Sequence, residues 1–176
     1  NVIANLQYGV RFANAASATR VEGNDFGYDP VTGRRLDLFS CVVISGGGPG
    51  VPLDVELHDN LFLCTYEVIL RRGFEFSGQA VFEHNFMGIH RDGQLAHGEC
   101  AGLRWVANGR YLLRRNTIRG VQDIAITIPR DLFFGETFVE ITQNSISGNA
   151  GGIVIDPSLQ AATLVAIITA ASTHEV

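Results

Sequence analysis

The sequence predicts an all-β protein, a parallel β-solenoid of about six triangular coils, and three observations predict it. An asparagine recurs at Asn1, Asn24, Asn60, Asn85, Asn116 and Asn144, at intervals of 23, 36, 25, 31 and 28 residues by subtraction. Apolar residues track each one. Two places after the asparagines stand Ile3, Phe26, Phe62, Met87, Ile118 and Ile146, and three places before the last five stand Val21, Leu57, Phe82, Leu113 and Ile141. A third strand-like run follows each asparagine, at 9–12, 41–44, 67–70, 102–105, 123–126 and 152–155. Three short strands per interval make a triangular coil, and the uneven intervals put the variation in loops.

The stretch 138–157, FVEITQNSISGNAGGIVIDP, holds one whole unit. Apolar residues alternate in FVEIT, the Asn closes the run, SIS follows and GGIVI resumes the alternation, so three period-2 segments are separated by tight turns. The chain start echoes it, with Asn1, Ile3 and Val10 matching Asn144, Ile146 and Ile153. A unit this small buries no apolar face alone. Stacked coils give each inward residue neighbours above and below and pair the backbone groups of every strand with the next coil. Asparagine suits the turn because its amide satisfies local backbone groups, because it tolerates a left-handed conformation, and because stacked amides form a hydrogen-bonded ladder. At about 4.8 Å per strand, six coils make a rod roughly 29 Å long. Residues 164–168 would continue the column of strands that precedes the asparagines.

The chain has 176 residues, 46% of them hydrophobic, and a formal charge of −5, enough for one domain over 1–176 and too balanced for a nucleic-acid-binding tail. The longest apolar run, 161–171, falls short of the roughly 20 residues that span a bilayer and is expected to be a core strand, with no membrane span. The start on a ladder asparagine, with no capping helix before it, marks the expected domain as a segment of a longer chain. Cys41, Cys64 and Cys100 are odd in number and lack CxxC spacing, so buried free thiols are expected, with no metal site and no cofactor.

With its pattern VxIxxNxIxG followed by GIxI, at 139–148 and 152–155, the chain resembles the right-handed parallel β-helix superfamily, the pectate-lyase-like proteins, from Asn1 to about Thr169. The resemblance implies a right-handed coil whose first sheet is built by the GIxI strands, with the asparagine at the turn between the second and third sheets. Such families include lyases, hydrolases, epimerases, tailspikes and noncatalytic surface proteins. It therefore implies an extracellular or cell-surface β-helix that recognises or processes a polysaccharide, with catalysis left open.

Two long connections, 28–40 and 89–100, lie two coils apart and are expected to form adjacent walls. Their polar residues are Asp29, Arg34, Arg35 and Asp37 in one, and His90, Arg91, Asp92, His97 and Glu99 in the other. His90, His97 and Glu99 suit acid–base work, although their spacing matches no zinc motif. Asp37, Asp92 and Glu99 are the acids from which a two-carboxylate hydrolase would draw its pair. Alternation points Arg11, Val43, Ile69, Arg104, Ala125 and Val154 outward on the first sheet, followed by Ala13, Ser45, Arg71, Val106, Thr127 and Asp156. An acidic polysaccharide would be clamped by arginines there, which makes Arg11, Arg71, Arg104, His90, His97 and Asp156 the expected ligand-binding residues. The alternative is an assembly protein in which Val43, Ile69, Ala125 and Val154 form an apolar line against a protein partner or a second copy. On the second sheet the outward line Glu22, His58, Glu83, Arg114 and Thr142 is expected to be solvated. Gly46 to Gly50 is expected to be a flexible turn, and Phe133, Phe134 and Phe138 to stack on sugar rings or cover the apolar face.

Overall fold

The computed structural model describes residues 1–13, 19–45, 54–72, 79–96, 100, 102–104, 109–122, 124–128, 137–155 and 167–170. Among these there is no helix, and the strands stack in parallel columns as a β-solenoid. The second column holds Thr19–Glu22, Val55–His58, Gln79–Glu83, Gly109–Arg114, the first part of Thr137–Ser147, and Ile167–Ala170. The third holds Val2–Ile3, Asp25–Phe26, Leu61–Phe62, Phe86–Met87, Thr117–Arg119 and the end of Thr137–Ser147. The first falls into two parts, Leu6–Ala13 with Leu38–Ser45 and Glu67–Arg72, then Leu103–Arg104 with Ile124–Ile128 and Gly151–Ile155.

Register follows the asparagine-anchored pattern. Ile3, Phe26, Phe62, Met87, Ile118 and Ile146 stand opposite one another in successive turns, as do Val21, Leu57, Phe82, Leu113 and Ile141. Phe26, Phe62, Leu57, Phe82 and Ile118 are fully buried in one core running along the axis. Each such side chain contributes about 1.5–3 kcal/mol, so the columns hold the turns together.

The asparagines form the expected ladder. Nδ2 of Asn1, Asn24, Asn60, Asn85 and Asn116 donates to Oδ1 of the next asparagine at 2.9, 3.2, 3.1, 3.0 and 2.9 Å. Each Oδ1 from Asn60 to Asn144 also accepts the backbone N–H of the asparagine one turn earlier. Nδ2 of Asn60, Asn85, Asn116 and Asn144 further donates to the carbonyl of Val21, Leu57, Phe82 and Leu113, closing the turn against the second sheet. The left-handed residue is the one before the asparagine: Gly23, Asp59, His84, Arg115 and Gln143 have φ of 65°, 54°, 55°, 57° and 56°. That division frees the asparagine's own backbone for the ladder while its neighbour takes the conformation that reverses the chain.

The cysteine expectation is corrected. Cys41 and Cys64 are both fully buried and form a disulfide with Cα atoms 5.7 Å apart, an ordinary separation for such a bond. Spacing alone did not reveal it, because the partners become neighbours only once one turn is stacked on the next. Cys100 lies outside the disulfide, in a second apolar cluster with Leu61 and Leu63. These leucines flank inward Phe62 and are covered by Tyr28, Phe86 and Ala96, so the outer face beside the third column is packed rather than solvated.

The outward line of the second sheet is in the expected register but forms an ion network. Glu83 Oε2 lies 3.7 Å from His58 Nδ1 and 3.6 Å from Arg114 Nε, while its Oε1 lies 3.4 Å from Arg115 Nη1. The His58 and Glu83 side chains keep only 15% and 14% of their exposure, which corrects the expectation of a solvated line at these two members, while Glu22 and Arg114 remain 50% and 41% exposed. Glu56 lies beside His58, and Arg114 and Arg115 of the following turn lie beside Glu83.

Candidate functional site

Where the chain enters the first sheet, three successive turns leave an open cavity of about 420 Å³, lined by Asn5, Leu6, Asp37, Leu38, Phe39 and Thr65. Stacking builds it. Leu6 pairs with Leu38, the backbone N–H of Thr65 donates to the Leu38 carbonyl, and that of Asn5 donates to the Asp37 carbonyl. One residue further on, Tyr66 N–H donates to the Phe39 carbonyl at 2.9 Å, which puts the two rings on the same rung of adjacent turns. Their centroids are 4.7 Å apart and their planes differ by 8°. Phe39 and Tyr66 are nonetheless 44% and 50% exposed, a parallel stack whose edges and outer faces meet solvent beside a cavity lined in part by Asn5, Asp37 and Thr65. The disulfide lies two residues from each ring, at Cys41 and Cys64, and fixes the spacing of these two turns.

The two long connections do meet. In the first, Tyr28–Asp29 pairs antiparallel with Arg34–Arg35, and Asp29 closes the turn by accepting from Thr32 Oγ1 at 2.6 Å and from Val31 N–H at 2.9 Å. Those bonds, Thr32 first, hold the Asp29 carboxyl below its usual range. In the second, Ile89 bridges Leu95 antiparallel and the His90 N–H donates to the Gln94 carbonyl. The Tyr28 and His90 rings touch, with centroids 4.5 Å apart. Arg91 ties the second loop to the turns below it, donating to the Asp59 carbonyl at 2.7 Å and pairing with Asp25 at 3.2 Å. Asp92 accepts from the Gln94 N–H within its own turn, whereas Asp37 lines the cavity.

Burial pushes the Cys100 thiol up to about 11, an effect that nearby Arg35 partly offsets. The neutral thiol therefore favours the folded state at ordinary pH, and this contribution fades as pH rises through that value. Iodoacetamide is expected to label Cys100 in the folded protein only as pH approaches about 11, and to label Cys41 and Cys64 only after reduction. Peptide mass spectrometry checks both; labelling of Cys41 and Cys64 in unfolded, unreduced protein would contradict the disulfide.

Among the described residues, Arg11, Arg104 and His90 stand on separate elements. Arg11 is exposed, its guanidinium 6.0 Å from the centre of the Tyr8 ring, and sits in the row of Val43 and Leu70. Arg104 is exposed in the other part of the first sheet, in the row of Thr127 and Val154. Arg71 stands opposite Ile44, one step off the row assigned to it, because Ile69 pairs with Val42 and not with Val43. His90 belongs to the joined loops, while His97, Glu99 and Asp156 lie outside the described residues, as do Gly46 to Gly50, Phe133 and Phe134. Phe138 carries the Arg110 guanidinium 5.0 Å from its ring centre.

The apolar line Val43, Ile69, Ala125 and Val154 is not a continuous surface row. Val43 is 6% exposed, Ala125 is fully buried in the core, and Ile69 shares the register of core residue Val42, so Val154 is the one exposed member with a described side chain. The sequence reading missed Phe39 and Tyr66. Their signal was an aromatic in each of two successive connections into the first sheet, but aligning 39 with 66 needs the backbone pairing that only stacking supplies.

Neither a family model, nor a curated protein, nor a solved structure matches this chain, so the function of the site has to follow from its own chemistry.

Proposed function

We propose that this β-solenoid recognises a polysaccharide on the Phe39–Tyr66 surface, outside the cell or at its surface. The single observation that carries the reading is the exposed, parallel-stacked aromatic pair at the rim of a cavity lined in part by Asn5, Asp37 and Thr65. A pyranose ring has an apolar face of C–H groups and an equatorial belt of hydroxyls. The first packs on flat aromatic surface, and the second needs amide, carboxylate and hydroxyl partners at the edge. Because the rings sit on successive turns held by a disulfide, little conformational entropy is lost on binding. The same disulfide favours an oxidising compartment.

Affinity electrophoresis against a panel of neutral and acidic polysaccharides, with ultraviolet detection of unsaturated products, tests the reading. The expected result is retardation by at least one polysaccharide, reduced roughly tenfold or more in affinity by Phe39→Ala with Tyr66→Ala, which removes about 1.5–3 kcal/mol of stacking. Product release would add a lyase to the recognition reading. A chain that no panel member retards, and that sediments as an oligomer, would favour the assembly alternative.

A further inference from the structure

We propose that the two long loops together bind an oxyanion, a carboxylate or sulfate group, between Arg35 and His90. Arg35 stands directly opposite Tyr28 in the antiparallel pair of the first loop, and side chains directly opposite each other project from the same face. Tyr28 in turn packs on the His90 ring of the second loop, so Tyr28 links the two nitrogen-bearing side chains. Beneath them lies the apolar cluster of Leu61, Leu63 and Cys100, against which Tyr28 packs.

In that setting Arg35 Nη2 and His90 Nδ1 are buried and have no hydrogen-bond partner. A guanidinium stays charged at any physiological pH, and no ion pair links Arg35 to a carboxylate among the described residues. A buried donor left unmatched is costly, and native structures match such groups almost without exception. The two nitrogens are enclosed, but Arg35, His90 and Tyr28 each keep part of their surface exposed, so a ligand would reach them by rotation of these side chains at the surface. An oxyanion accepts from the guanidinium and from an imidazole N–H together, whereas a hydroxyl group offers no charge to match. The anion is either free in solution or carried on the glycan, and in the second case the inference rests on the reading above.

Nitrogen-15 NMR of histidine-labelled protein tests it. Sodium sulfate and galacturonate are titrated separately at constant ionic strength set with chloride. The expected result is a saturable shift of the His90 ring nitrogens with at least one anion, weakened about tenfold or more in Arg35→Gln, weakened less in Arg35→Lys, and kept in Phe39→Ala with Tyr66→Ala. Far-UV dichroism confirms that each variant folds. No saturable shift with either anion, or an equal shift in Arg35→Gln, would overturn the site. Comparing an oligogalacturonate with monomeric galacturonate separates the sources: tighter binding that is lost in the aromatic double variant marks the glycan-borne group, and equal binding marks the free anion. Since the aromatic variants leave this site whole, a negative panel with a positive anion titration would sink the platform alone.

Discussion

Asn85→Ala is expected to destabilise the protein by about 3–5 kcal/mol, enough to lower the melting temperature by roughly 10 °C or more. The Asn85 side chain is fully buried and makes four hydrogen bonds. Its Oδ1 accepts the backbone N–H and Nδ2 of Asn60 at 3.0 and 3.1 Å, and its Nδ2 donates to the Leu57 carbonyl and Asn116 Oδ1 at 2.8 and 3.0 Å. Truncation removes the Asn85 partner of the buried Asn60 N–H and of the Leu57 carbonyl, and a buried donor left unmatched costs more than the loss of the bond itself. Asn1 supplies the internal control. It is exposed, and its amide only donates to Asn24, so Asn1→Ala should cost less than about 1 kcal/mol. Denaturant unfolding of the two variants checks the contrast, and equal losses would show that the ladder is not what holds the turns.

Gly27→Ala is expected to cost about 3 kcal/mol or more, by a different mechanism. Gly27 has φ of +71°, and a Cβ there would run into the Leu63 carbonyl of the next turn, with the Leu36 carbonyl 3.3 Å away. Those atoms are backbone and cannot turn aside, so two turns must separate or the first loop must shift. Gly27 immediately precedes the Tyr28 hairpin and accepts the Leu36 N–H, so the strain falls on the base of that loop. The variant should therefore lose stability together with the Tyr28–His90 contact, read as a change in the His90 ring shifts. Gly88, with the same φ and the Arg119 carbonyl against it, should behave alike in the second loop.

The parts of this protein that a sequence reveals are those fixed by periodicity. Asn60, Asn85 and Asn116, with Phe62, Met87 and Ile118 two places on, repeat because every turn faces the same steric problem, and their columns hold in the structure without a slip. The first sheet was less legible. Its strands are entered by connections of unequal length, so nothing in 67–72 tells whether Ile69 or Leu70 joins Val43, and a one-residue slip exchanges the two faces. The disulfide and the Phe39–Tyr66 pair share this origin, since each joins residues of successive turns whose alignment is set by those connections. The loops were legible as a pair of walls, but Arg35, which sequence offers as one charge among several, becomes distinct only when its partner strand and the buried cluster are in place.

Saturation-transfer difference NMR on the best-retained oligosaccharide of the panel measures the central claim most directly. If a sugar ring packs against an outer face of the stacked Phe39–Tyr66 pair, saturating the aromatic protons of the wild-type protein should transfer most strongly to the axial C–H protons of one pyranose face, and Tyr66→Ala should abolish that pattern while the fold, judged by far-UV dichroism, stays intact. Transfer spread evenly around the sugar, or a pattern unchanged in Tyr66→Ala, would contradict the account.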